Sequence, residues 1–166
     1  MTWRNSTDAI DRIFATLVYL LPLFVALQFG TFIFANFPFL QSILVILVLP
    51  VLLIYQLLAS LGLGSFIGLI VFLGLFFAVV RNDRISRFIR FNTMQALLID
   101  ILLYLCSLVL GFLAQGLGTT SLLIQTIYNI IFLATLAACF YSMFQSARGI
   151  YAEIPTISDA ASSQIM

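Results

Sequence analysis

The stretch RNDRISRFIRFNTMQALLID, residues 81–100, decides how this chain is read. It sets Arg81, Arg84, Arg87 and Arg90 beside Asp83 within ten residues, then runs into an apolar segment carrying Asp100. Ahead of it, no residue from Ile13 to Val80 is charged. The chain has 7 basic and 6 acidic residues, so five of 13 charges fall in one decapeptide. Long uncharged runs broken by a dense arginine cluster are the pattern of segments that lie in lipid, with their cations held at one membrane surface.

Composition agrees. Of the 166 residues, 63% are hydrophobic and 8% charged, against roughly 45–50% and about 25% in soluble domains. A water-soluble fold of this size cannot cover that much apolar surface, so an all-α integral membrane helical bundle forming one domain is expected. The chain has no His and no Lys, which excludes a Ser/His/Asp triad, a Schiff-base lysine and a His-ligated metal. No enzyme activity, cofactor, metal or nucleic-acid partner is expected. Cys106 and Cys139 lie inside apolar segments without CxxC spacing and read as free buried thiols. The N-terminus does not read as a cleaved signal: its apolar run is too long for an h-region, and no A-x-A site follows. Asp8 and Asp11 argue against a transit peptide.

An α-helix needs about 20 apolar residues to cross roughly 30 Å of hydrocarbon. Residues 13–34 meet this with Pro22 inside, as do 94–115 and 122–142, the last two separated by a turn at Gly116, Gly118, Thr119 and Thr120. The uncharged region 37–80 is split by Gly62-Leu63-Gly64 into 39–61, with Pro50, and 65–80. If both halves cross, the chain has five spans; if one does, four. Arg-rich short loops stay cytoplasmic, so 65–80 must arrive at the inner surface just before Arg81. Four spans then put Arg4 and Arg12 inside as well, whereas five strand them outside. Four spans (13–34, 65–80, 94–115 and 122–142) are therefore preferred, with 39–61 interfacial or re-entrant and both termini on the inner side. Residues 149–166 read as a flexible polar tail.

On a helix, Arg84, Arg87 and Arg90 share one side of residues 84–92, while Ile85, Phe88 and Ile89 share another. Asn82 or Asp83 is a plausible N-cap, and the arginines are expected to contact partners or anionic lipid. Topology needs the cations alone, and no polar group deeper in the next span. Yet Asn92, Gln95 and Asp100 form a polar stripe descending into that span, and a carboxylate at that depth should face other helices. Gln125 and Asn129 on the last span, or Arg148 at its end, are the candidate partners of Asp100.

These residues also carry a resemblance. Asn82-x-x-Ile85-Ser86-Arg87-Phe88-Ile89-Arg90-Phe91-Asn92-x-Met94-Gln95-Ala96, then Leu98-x-Asp100-Ile101-Leu102, resembles the signature of the Tic-twenty family. That family is the small multispanning subunit of the translocon at the inner chloroplast envelope, with cyanobacterial and plastid-encoded relatives. Asp11-Arg12-Ile13, Tyr19-Leu20-Leu21-Pro22 and Phe37-Pro38-Phe39-Leu40 resemble its N-terminal half. The resemblance implies four helices with both termini on the cytoplasmic or stromal side. It also implies a non-enzymatic subunit of a protein translocation or insertion complex, with membrane lipids, other membrane subunits and preproteins as partners and with homo- or hetero-oligomers. Because plant members carry a transit peptide, a cyanobacterial or plastid-encoded member is implied, in a cyanobacterial plasma or thylakoid membrane or the plastid inner envelope. Two rival readings are a small transporter or ion channel coupled through Asp100, and a structural assembly factor for another membrane complex.

Overall fold

The structure, a computed structural model, describes residues 8–118 and 121–165. Arg4, Thr119 and Thr120 lie outside them. The first element, α1, is Ala9–Asn36. Asp8 caps it by accepting a hydrogen bond from the Ala9 amide at 2.8 Å. Its helix loosens at Val18 and Tyr19 because Pro22 has no N–H to offer the Val18 carbonyl; the Leu21 amide takes that carbonyl instead at 3.2 Å. Pro38 opens α2 (Pro38–Leu47) and Pro50 opens α3 (Leu49–Ser60). Between these two the chain turns by 70°, a kink of the kind Pro50 imposes on the turn before it. The remaining elements are α4 (Ile67–Val80), α5 (Arg87–Leu117), α6 (Leu122–Ala147) and α7 (Ile157–Gln164).

Side-chain register fixes how these elements run. The Ser146 hydroxyl near the end of α6 and the Tyr19 phenol of α1 both reach Asn92 near the start of α5. Phe34 of α1 meets Phe132 of α6, with centroids 5.1 Å apart, in a core that also holds Leu110 of α5 and Ile124 of α6. The start of α1, the start of α5 and the end of α6 therefore share one end of the bundle. The end of α1 lies at the other.

The chain must travel back between Phe37 and Arg81, and it does so in two stages. α2 folds back along α1 until Val48 is buried with Leu20, Leu23 and Cys139. After the 70° turn α3 runs obliquely, putting Tyr55 4.8 Å from Phe24. α4 then descends alongside α5. Gly68 lies against the Tyr104 hydroxyl and the Val80 carbonyl against Arg90, so the two helices are antiparallel.

Among the described residues, three helices are long and apolar enough to cross a membrane, and the bent pair α2–α3 adds at most one more. The segment 65–80, expected from sequence to be a span in itself, is shorter than that. α4 is about 20 Å long at 1.5 Å per residue, short of roughly 30 Å of hydrocarbon. It ends in a π turn, with the Arg81 amide bonded to the Phe76 carbonyl at 3.0 Å. The passage from one end to the other is thus shared by α2–α3 and α4. The segment expected to be a polar tail also differs. It carries α7, whose Ala161, with Ile165 just after the helix, is buried with Phe91 and Met94, and Tyr151 meets Phe88 and Phe91 edge-on at 5.2 and 5.0 Å.

Close packing at the far end depends on one glycine. A Cβ on Gly30 would come within 2.9 Å of Phe132 and nearer still to the Phe34 ring. Gly30→Val should therefore lower stability by about 1–3 kcal/mol, as overpacking does. Gly111→Val, where nothing lies within 4 Å of the added Cβ, should cost far less. Thermal unfolding of the two variants in the same detergent checks this.

Candidate functional site

The polar stripe of α5 is drawn inward along its whole length. Asn92 and Gln95 are fully buried and Asp100 is 3% exposed. Asn92 is a three-helix junction. Its amide nitrogen donates to the Phe88 carbonyl of its own helix at 2.8 Å. Its carbonyl oxygen accepts from the Tyr19 hydroxyl of α1 at 2.9 Å and from the Ser146 hydroxyl of α6 at 2.8 Å.

Farther along, the polar atoms outnumber their partners. Among the described residues, neither amide atom of Gln95 has a hydrogen-bond partner, nor does Asp100 Oδ1, while Ser142 faces the Tyr19 phenol and Tyr55 faces that of Tyr104. Tyr55, Tyr104 and Cys139 lie within electrostatic reach of the Asp100 carboxylate. No basic side chain is paired with it among the described residues. Each buried polar atom without a partner costs on the order of 1–3 kcal/mol. Such costs persist where a second chain or a function requires the group. Arg148, expected as a partner of Asp100, instead lies over the Phe144 ring at 5.4 Å. Gln125 and Asn129 are not among the groups acting on Asp100, and Asn129 Oδ1 is itself buried without a partner.

The arginine turn divides. Arg84 and Arg87 are exposed. Arg90 is not: its side chain is 12% exposed, pairs with Asp83 at 3.0 Å and donates through Nε to the Val80 carbonyl at 2.8 Å. It caps the end of α4 and so joins α4 to α5. The N-cap of α5 is Ser86, whose hydroxyl accepts from the Ile89 amide at 3.4 Å, rather than Asn82 or Asp83. Asn82 is engaged in its own turn, accepting from the Arg84 amide at 3.0 Å, and Asp83 is held by Arg90. Arg87 stands beside Tyr151. Partial burial pushes that phenol above its ordinary pKa, and the guanidinium works against the shift.

Sequence reading missed Tyr19, Tyr55, Ser142 and Ser146 as members of this site. The one available signal was Ser142 and Ser146 at i,i+4 spacing, which puts both on one face near the end of α6. Both cysteines are free, with Cys139 buried.

Tyr19→Phe and Ser146→Ala should each lower stability by roughly 0.6 kcal/mol, and at most about 1.7. Asn92→Leu, which strands both hydroxyls, should cost more than either. At Asp100, where no cation among the described residues would be left behind, Asn should be tolerated better than Leu, which removes the polar atoms that this position presents beside the two phenols. Melting temperatures of the five variants in detergent decide these orders.

The chain also matches known proteins. The family model described as "Chloroplast import apparatus Tic20-like" matches residues 6–161. A "Tic20 family protein" of Synechocystis sp. is 46% identical over 165 residues, covering 99% of each chain. "Protein TIC 20-v, chloroplastic" of Arabidopsis thaliana is 31% identical over 162 residues, covering 98% of this chain and 74% of the relative. "Tic20 family protein Ycf60" of Pyropia yezoensis is 32% identical over 169 residues, covering 97% and 78%. The match runs through all three long helices and the arginine turn, and the chain belongs to the Tic20 family.

Proposed function

We propose that this chain is a non-enzymatic membrane subunit of a protein translocation or membrane-insertion complex. The observation that carries this is the match to a family described as chloroplast import apparatus over residues 6–161. The geometry supports the subunit part of the reading. Three long helices and two partial ones fill their own interior with Phe29, Phe132, Leu97 and other fully buried side chains. No polypeptide path runs through such a bundle, so any path is shared with neighbouring chains. The unpartnered polar atoms of Gln95 and Asp100 lie inside the chain's own bundle, so water admitted between the helices, rather than a neighbouring chain, would satisfy them.

Charge supports the orientation. Apart from Asp100, every charged residue belongs to the segments 4–12, 81–90 and 148–159. The described parts of these segments meet at one end of the bundle, and the other end is uncharged. By the preference of arginine-rich loops for the side of synthesis, the charged end faces the cytoplasm or stroma. Relatives in a cyanobacterium and in a red alga favour a cyanobacterial plasma or thylakoid membrane, or a plastid inner envelope.

The arginine turn then faces partner subunits, with Arg84 and Arg87 as the contact residues and Arg90 as the residue that holds the turn in shape. The rival reading, a small transporter coupled through Asp100, is favoured by that carboxylate's unpartnered oxygen. It requires Asp100 to be in contact with water.

Arg84→Gln with Arg87→Gln should leave the melting temperature unchanged and reduce recovery of co-purifying membrane subunits several-fold in mild detergent. Arg90→Gln should lower the melting temperature, because α4 loses its cap. Full recovery of the same subunits with the Arg84/Arg87 variant would contradict the partner-contact role.

A further inference from the structure

A cavity of about 600 Å³ lies between α1, α3, α4 and α5 in the charged half of the bundle. Its walls are Leu17 and Leu21 of α1, Val51 and Ile54 of α3, and Gly74 and Ala78 of α4. Among the described residues, only Tyr55 and Thr93 bring polar side chains to it. Leu17 is 48% and Ile54 53% exposed, so the cavity opens sideways onto the surface that faces lipid. From Val71 to Val79 it follows α4 for roughly 12 Å. Its volume falls in the range of about 300–1,000 Å³ usual for small-molecule sites.

The cavity ends where the charge begins. Val79 is on its wall, and Arg81 follows two residues later. Arg81 and Arg84 are both exposed. Asp83, the carboxylate nearest them in sequence, is held by Arg90, so no carboxylate is paired with either arginine among the described residues. An apolar slot whose α4 wall runs on, two residues past Val79, into the exposed Arg81 and then Arg84 matches one kind of molecule, an anionic phospholipid. We infer that this is a specific anionic-lipid site, with an acyl chain between α1 and α4 and the phosphate at Arg81 and Arg84. The site needs only this chain, and holds whether or not the chain serves a translocation complex.

Gly74 provides the variant that separates slot from surface. It lines the cavity, and a Cβ added there meets nothing within 4 Å. The Cβ of Gly74→Leu therefore meets open space, and the rest of its side chain takes up volume in the slot. The purified protein in phosphatidylcholine nanodiscs would receive trace phosphatidylglycerol with a photoreactive group on its acyl chain. Cross-links should concentrate in the peptides containing residues 51–55 and 71–79. Gly74→Leu should abolish that concentration. Arg81→Gln with Arg84→Gln should reduce labelling by phosphatidylglycerol roughly tenfold, yet leave labelling by an equally reactive phosphatidylcholine unchanged. Labelling spread over the exposed Leu105–Phe112 face of α5, or labelling indifferent to Gly74→Leu, would overturn the assignment. So would an intermolecular disulfide formed by Gly74→Cys, which would make the occupant a second copy of the chain.

Discussion

Inside a bilayer a polar side chain has no water to fall back on, so its partner must come from the protein. In this chain that constraint acts most strongly at Asn92. One carboxamide satisfies the Phe88 carbonyl of its own helix, the Tyr19 phenol of α1 and the Ser146 hydroxyl of α6. Between apolar helices in lipid there is little hydrophobic drive to choose one register over another, because lipid is as apolar as leucine. A single residue that pins three helices at one level therefore does what the hydrophobic effect does in water. Once that level is set, Phe34 meets Phe132 at the other end, and Gly30 gives the rings room to do so.

A second constraint comes from the distribution of charge. Arginine is costly at the bilayer centre and favoured near anionic headgroups, and this chain keeps all seven arginines in three short segments. The fold brings the described parts of those segments together. Arg90 then serves the fold, linking the Val80 carbonyl to Asp83, and leaves Arg81, Arg84 and Arg87 facing outward. The proposed orientation and contact roles of this turn rest on those outward-facing side chains. Asp100, alone among the charged groups of the described residues, sits within the bundle beside two phenols.

Much of this is legible in the residues themselves. Residues 13–34, 94–115 and 122–142 fall inside the three long helices because length and hydropathy alone decide a span. The inward face of Asn92, Gln95 and Asp100 is set by helical spacing. The region 37–80 is harder, for it has no charge and little polar face to orient it. Only side-chain register shows α2–α3 and α4 sharing one passage. Capping was misjudged at Asn82 and Asp83, because an Asx turn and a distant arginine claimed those side chains. The helix at 157–164 was missed: serine-rich sequence gives it little propensity, and its order comes from packing Ala161 and Ile165 on α5. The partners Tyr19, Tyr55 and Ser146 lie far from Asn92 and Asp100 in sequence, so no local pattern announces them.

The central claim is that the chain passes four times between the two ends of the bundle, with its charged segments gathered on one side. In a background with Cys106→Ala and Cys139→Ala, single cysteines at Asp8, Ser86, Ser162 and Ser121 would be exposed in sealed vesicles to a membrane-impermeant thiol reagent. The account predicts that Asp8→Cys, Ser86→Cys and Ser162→Cys react from one and the same side, and Ser121→Cys only from the other. Reaction of Asp8→Cys from the side of Ser121→Cys would mean an odd number of passages, and the shared crossing of α2–α3 and α4 would be wrong.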